Sequence, residues 1–182
     1  MSPDRKRADA SRNAERLITA AREALAEVGD DVPFDVIARR AGVGNATLYR
    51  HFPTRADLLV AVYADEVDAL CRRGEQLLEP ADPVDALFAW LDEFVVHVAT
   101  KRPLALAATE GTGDRRTALF HRWHTSITSI AERLIERARP GLRPGLTATD
   151  VLTLVSGAAL TTDVTHARHL VALLRTGITT EP

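Results

Sequence analysis

The chain has 182 residues, 46% of them hydrophobic and 26% charged, with a formal net charge of −2. That length sustains a hydrophobic core without disulfide or metal staples, and the single cysteine, Cys71, excludes an internal disulfide and fits a reducing compartment. No apolar run approaches the roughly 20 residues a bilayer span requires, and the polar, basic opening from Met1 to Asn13 lacks the apolar stretch of a secretory signal, so the expectation is a soluble cytoplasmic protein with no membrane partner.

Hydrophobic spacing is helical nearly throughout. Leu17, Ile18, Ala21, Leu25 and Val28 share one face of a helix from about Ala10 to Val28, closed by Gly29. A short helix follows from about Pro33, with proline at its first position, burying Phe34, Ile37, Ala38 and Ala41. Gly42-Val43-Gly44 interrupts the pattern. Another short helix runs from about Asn45 to His51, because the residue before Pro53 is pushed out of the helical region. Thr54 and Asp57 read as a capping box with Asp in place of Glu, and open a long helix to about Leu78 that Pro80 stops.

Asp82-Pro83-Val84-Asp85 is a second start signal: capping carboxylate, proline in the first turn, acid at the third position. Its helix carries Leu87, Phe88, Leu91, Phe94 and Val95 inward and should bend or stop around Arg102-Pro103. A short helical piece over Leu104–Glu110 and a Gly111–Gly113 loop come next. A long helix from about Asp114 to Arg139 turns Trp123, Ile127, Ile130 and Leu134 inward. Thr147 to Asp150 opens a helix reaching about Thr162, apolar on nearly all sides, and a last helix from about Asp163 to Arg175 closes at Gly177. The predicted fold is all-α with about nine helices, divided into an N-terminal domain over residues 1–55 and a C-terminal domain over 56–182.

Charge is distributed unevenly. Residues 35–55 carry Arg39, Arg40, Arg50 and Arg55 against Asp35 alone, whereas residues 65–93 hold nine acids against Arg72 and Arg73. A basic end beside an acidic middle orients a molecule on a polyanion; solvated helix faces of either sign account for the same pattern.

A short helix, a Gly-containing turn and a second short helix over residues 33–52 form the arrangement that sets a recognition helix in the major groove. Gly42 supplies the positive φ that the turn needs, and an ordinary α-hairpin is the alternative on these features alone. The string from Ile37 to Leu59, with Leu48-Tyr49-Arg50-His51-Phe52 at its centre and Thr54-Arg55-Ala56-Asp57-Leu58-Leu59 after it, closely resembles the signature of TetR-family transcriptional regulators. The resemblance covers about residues 13–62. It implies a dimeric repressor on a palindromic double-stranded DNA operator, released by a small-molecule effector of unknown identity, with no cofactor.

Carried over residue by residue, the resemblance puts Gly44, Asn45, Ala46 and Thr47 at the exposed start of the recognition helix. The Asn45 amide suits a base edge, and Ala46 or the Thr47 methyl suits a thymine methyl. Tyr49 and His51 match phosphate-holding positions, Arg55 matches a basic phosphate clamp, and Arg50 faces outward. Leu48 and Phe52 read as core. Asp35 stands where some members carry a base-reading basic residue, so no DNA contact is expected there. The small Asn45 and Ala46 leave little direct readout, which raises the weight of Arg39, Arg40 and DNA shape. Arg5, Lys6 and Arg7 suit a flexible minor-groove arm or a solubilising tail.

Two-fold half-sites need a dimer. The apolar helix at about 148–162 and the stripe on the last helix suggest an intersubunit four-helix bundle through Leu152, Val155, Ala159, Leu170, Leu173 and Leu174; burial within one chain is the alternative. The resemblance also implies a ligand cavity in the C-terminal helices, for which Trp90, Phe94, His97, Phe120, Trp123, His124 and Thr161 are the candidate lining groups. His121 with His124 and His166 with His169 form i,i+3 pairs, but no Glu or Cys completes a metal site at a recognisable spacing, so no metal is expected. Glu110, His97 and Cys71 are isolated and no phosphate loop or nucleophile elbow occurs, so an enzyme is not expected. The rival reading is a helical protein-interaction or small-molecule-binding module without DNA.

Overall fold

The computed structural model describes the backbone of residues 3–29, 31–79, 82–109, 114–161 and 163–180, and the side chains of these apart from 3–7, 101–109 and 114–117. Among the described residues the chain forms eight α-helices: α1 (Pro3–Val28), α2 (Phe34–Arg40), α3 (Asn45–His51), α4 (Arg55–Gln76), α5 (Pro83–Thr109), α6 (Asp114–Ala138), α7 (Ala148–Ala158) and α8 (Val164–Ile178), with a 3-10 turn over Arg139–Gly141. The contacts divide the chain into two compact units, residues 1–65 with 103–111, and residues 66–102 with 112–182.

Helix starts follow local chemistry. Thr54 and Asp57 exchange hydrogen bonds in a capping box, the Asp57 amide donating to Thr54 Oγ1 at 3.1 Å and the Thr54 amide to Asp57 Oδ2 at 3.0 Å. Thr147 and Asp150 repeat it at α7. Asp82 Oδ1 accepts from the amides of Val84 and Asp85, each at 2.9 Å, and Asp163 Oδ1 accepts from Thr165 at 2.7 Å. These carboxylates and hydroxyls satisfy the amide donors that a helix start leaves unpaired.

Several boundaries differ from expectation. Pro33 is the extended N-cap of α2 rather than its first residue. α5 continues through Pro103 to Thr109, so among the described residues Leu104–Thr109 belongs to α5 and is not a separate helix; a proline removes one donor from the ladder while the remaining backbone bonds persist. Gly177 lies inside α8, which ends at Ile178. α1 begins at Pro3 rather than near Ala10, so the backbone at Arg5, Lys6 and Arg7 is helical. Their side chains, and the Gly111–Gly113 loop, lie outside the described residues.

The first unit is built around Leu17, Ala20, Ala21 and Ala24 of α1, packed with Ile37, Ala38 and Ala41, with Leu48 and Phe52, and with Leu58, Leu59 and Val62. Alanines at the crossing let α1 and α2 approach closely. In the second unit Leu87, Trp90, Leu91, Phe94 and Val95 of α5 are buried, as are Trp123, Ile127, Ile130 and Leu134 of α6. Its end is fastened to the 3-10 turn by Arg143 N donating to the Ile178 carbonyl at 2.8 Å and Thr180 N to that of Gly141 at 3.0 Å.

Candidate nucleic-acid interface and ligand region

The turn between α2 and α3 is made by Gly42 at φ +66°, a conformation that costs an L side chain steric strain. The Val43 amide donates back to the Ala38 carbonyl at 3.0 Å, and Val43 half-buries its side chain against the core. Gly44, extended at φ −75° and ψ 151°, is the N-cap of α3 and supplies no side-chain cap. Leu48 and Phe52 are buried, so one face of α3 is anchored and the other is presented outward.

That outward face carries Gly44, Asn45, Ala46, Tyr49 and Arg50, all exposed, with Thr47 and His51 half-buried. Tyr49 is 53% exposed, yet its ring leans on Phe34 of α2 with centroids 5.4 Å apart, which fixes the direction of the phenol. Arg50 Nη2 donates to Thr47 Oγ1 at 3.2 Å, joining neighbours on the same face. His51 sits beside Phe52, centroids 6.3 Å apart.

The remaining basic candidates are engaged within the unit. Arg39 pairs with Asp35 at 3.0 Å one turn away, so Asp35 is neutralised by its own helix. Arg40 reaches Glu27 on α1 at 2.6 Å; the hydrogen bond from Arg40 holds the Glu27 carboxyl below its usual range and holds the guanidinium above its own. Arg55 turns inward, Nη1 donating to the Val32 carbonyl at 2.7 Å. Arg16 on α1 had no place among the candidates, and its guanidinium lies directly against Gly42. No local signal marks it, because the approach of α1 to the turn is a tertiary contact.

In the second unit the candidate ligand residues occupy α5, α6 and the α7–α8 connection. Trp90 is buried, donates Nε1 to the Leu70 carbonyl at 3.1 Å and stacks on Phe94, centroids 5.5 Å apart. Phe120 and Trp123 make an edge-to-face pair at 5.2 Å. His97 is buried and lines a cleft of about 320 Å³ with Glu66, Leu70, Glu93 and Thr100 of α4 and α5. His124 is exposed. Thr161 gives its hydroxyl to the α7–α8 connection, near the carbonyls of Ala158 at 3.1 Å and Asp163 at 3.2 Å.

The dimer candidates differ in burial. Leu152, Val155 and Ala159 are buried within their own chain, whereas Leu170 and Leu174 are half-buried. Leu173 is 53% exposed, and Leu154 and Leu160, absent from the predicted set, are 52% and 63% exposed. A helix apolar on all sides gives no sequence signal for which side the chain itself covers, and packing on α6 and α8 turns Leu152 and Val155 inward.

His166 and His169 lie with ring centroids 6.2 Å apart, and among the described residues no group of three or more His, Cys, Asp or Glu side chains is placed to share a metal ion. Among the described residues no helix is long and apolar enough to cross a membrane.

Comparison with known proteins agrees with this geometry. Residues 17–62 match the family described as bacterial regulatory proteins, tetR family, and residues 82–180 match the transcriptional regulator SbtR-like C-terminal domain. The TetR transcriptional regulator SCO0520 of Streptomyces coelicolor is 31% identical with a TM-score of 0.76, the match covering 93% of this chain and 99% of that one. A protein of Saccharomonospora viridis, solved in complex with choline, shares the fold at 18% identity and a TM-score of 0.71, covering 94% and 100% of the two chains. The nucleoid occlusion factor SlmA of Marinobacter nauticus is 26% identical over 121 residues, which span 62% of this chain and 61% of that protein. With one family profile covering over half of the chain and a second lying on its helix-turn-helix, this protein belongs to the TetR family of bacterial transcriptional regulators.

Proposed function

We propose that the protein is a dimeric, cytoplasmic repressor that binds a palindromic operator through α3 and is released by a small molecule held in its C-terminal domain (residues 56–182), with residues 1–55 as the DNA-binding domain. The observation that carries the reading is the exposed start of α3, Gly44 to Ala46 with Thr47 half-buried beside them, on a helix whose other face is anchored by Leu48 and Phe52. On this reading Asn45, Ala46 and Thr47 meet base edges, while Tyr49, Arg50 and His51 meet phosphates and set register. Arg39 and Arg40 take part by exchanging Asp35 and Glu27 for phosphate.

The effector reading is supported by the choline complex of the Saccharomonospora viridis relative, a small molecule on the same fold. α4 runs from the first unit into the second, so a ligand that favours one placement of α4 alters the separation of the two recognition helices of a dimer and lowers operator affinity. Protection from nuclease of DNA upstream of the protein's own coding sequence, weakening steeply with salt, tests the DNA reading. Salt-independent behaviour with no protected sequence would instead favour an interaction module without DNA. Spin labels on the recognition helices test the mechanism: equal separations with and without ligand would sink it.

A further inference from the structure

Arg55 is the first residue of α4, where a cation faces the positive end of the helix dipole. Its guanidinium folds inward: Nη1 donates to the Val32 carbonyl at 2.7 Å, and Nη2 is buried with no hydrogen-bond partner among the described residues. Val32 is 1% exposed and lies in the connection between α1 and α2. A buried loop carbonyl needs a donor, and the guanidinium provides a charge-assisted one. Pro33 follows directly as the N-cap of α2, its carbonyl accepting from the amides of Val36 at 3.2 Å and Ile37 at 3.3 Å. Phe34 comes next, and its ring supports Tyr49 on α3. A continuous path of contacts thus runs from the start of α4, through Val32 and Phe34, to the recognition helix.

We infer that Arg55 is a positioning residue, tying the start of α4 to the α1–α2 connection and thereby setting the orientation of α2 and Tyr49, rather than a phosphate clamp. The inference rests on the DNA-binding reading above and gives α4 a definite lever on the reading head. The forked, planar guanidinium matters as well as its charge: a lysine ammonium keeps a charge for phosphate but does not reproduce the fork's reach to Val32.

The test uses the full-length protein, a duplex taken from upstream of its own coding sequence, and a series of salt concentrations, comparing the wild type with Arg55→Lys and Arg55→Gln. Both variants should bind about tenfold more weakly, with the slope of log affinity against log salt unchanged. Amide exchange at Val36 and Ile37 should quicken in both, while exchange in the second unit stays as in the wild type. Wild-type affinity in Arg55→Lys, or a slope reduced by about one in Arg55→Gln, would identify a phosphate contact and overturn the inference. Unchanged exchange at Val36 and Ile37 would overturn it too. Should Arg55→Gln fail to fold, Arg55→Lys decides. Should the wild type bind no duplex, the DNA reading fails and amide exchange still decides the tie.

Discussion

The guanidinium of Arg16 on α1 lies against Gly42 in the turn between α2 and α3, so closely that a β-carbon on residue 42 would stand 2.6 Å from Arg16 Nη2. Two effects therefore oppose any side chain there, the contact and the left-handed backbone at φ +66°. The contact is with the far end of a flexible side chain and can yield; the backbone cannot. Gly42→Ala should cost about 1–2 kcal/mol of stability, and adding Arg16→Ala should recover only a minor part. Urea unfolding of the single and double variants measures both, and a Gly42→Ala protein as stable as the wild type would refute the strain argument.

Tyr49 and Asn45 share the outward face of α3 but should behave differently. On the proposed reading Tyr49→Ala removes a phosphate contact, and it also removes the ring that rests on Phe34, so binding should weaken across all DNA sequences. Asn45→Ala should chiefly relax sequence preference, by about 1–3 kcal/mol of discrimination at one base pair. Tyr49→Phe keeps the ring contact and isolates the hydroxyl. Equal losses on all sequences for Asn45→Ala and Tyr49→Ala would show that Asn45 reads no base.

Leu152 and Leu173 should separate folding from assembly. Leu152 is buried in its own chain, so Leu152→Ala should cost about 2–5 kcal/mol in unfolding experiments. Leu173 is more than half exposed, so Leu173→Glu should leave the helical content intact and shift a dimer toward monomer in sedimentation. A Leu173→Glu protein that sediments as the wild type would remove α8 from the proposed interface.

Gly74 lies in α4 where a β-carbon would stand 2.9 Å from Trp90 Nε1 and closer still to Ile130 Cγ2. Alanine favours a helix over glycine by about 1 kcal/mol, but overpacking a filled core costs about 1–3 kcal/mol. Because Trp90 is held by its bond to Leu70, the clash should win and Gly74→Ala should lower the melting temperature. A raised melting temperature would mean that Ile130 and Trp90 give way without strain.

The capping box of α7 makes a pH prediction. Hydrogen bonds from the Thr147 hydroxyl, then from its amide, hold the Asp150 carboxyl below the usual aspartate range. A carboxyl depressed on folding adds stability that is present above its unfolded pKa of about 3.9 and is lost as pH falls through the lower folded value. Asp150→Asn should therefore destabilise at neutral pH, and its difference from the wild type should vanish in acid. A difference independent of pH would place the stabilisation in packing rather than charge.

Local relations were already determined by the sequence. Thr54 with Asp57, Thr147 with Asp150, and Asp82 ahead of Pro83 act within three residues, so spacing alone locates those helix starts. The positive φ at Gly42 and the burial of Leu48 and Phe52 also follow from short-range pattern. The family resemblance rests on this same short stretch. Tertiary structure decided what depends on residues far apart in the chain: which side of the all-apolar α7 its own protomer covers, the placement of Arg16 on the turn, and the partners of Arg40 and Arg55. Arg55 looks like a surface cation in sequence because Val32, whose carbonyl it satisfies, lies 23 residues away. Whether a cation faces solvent or a buried carbonyl is set by which backbone groups folding leaves unpaired, and no periodicity records that.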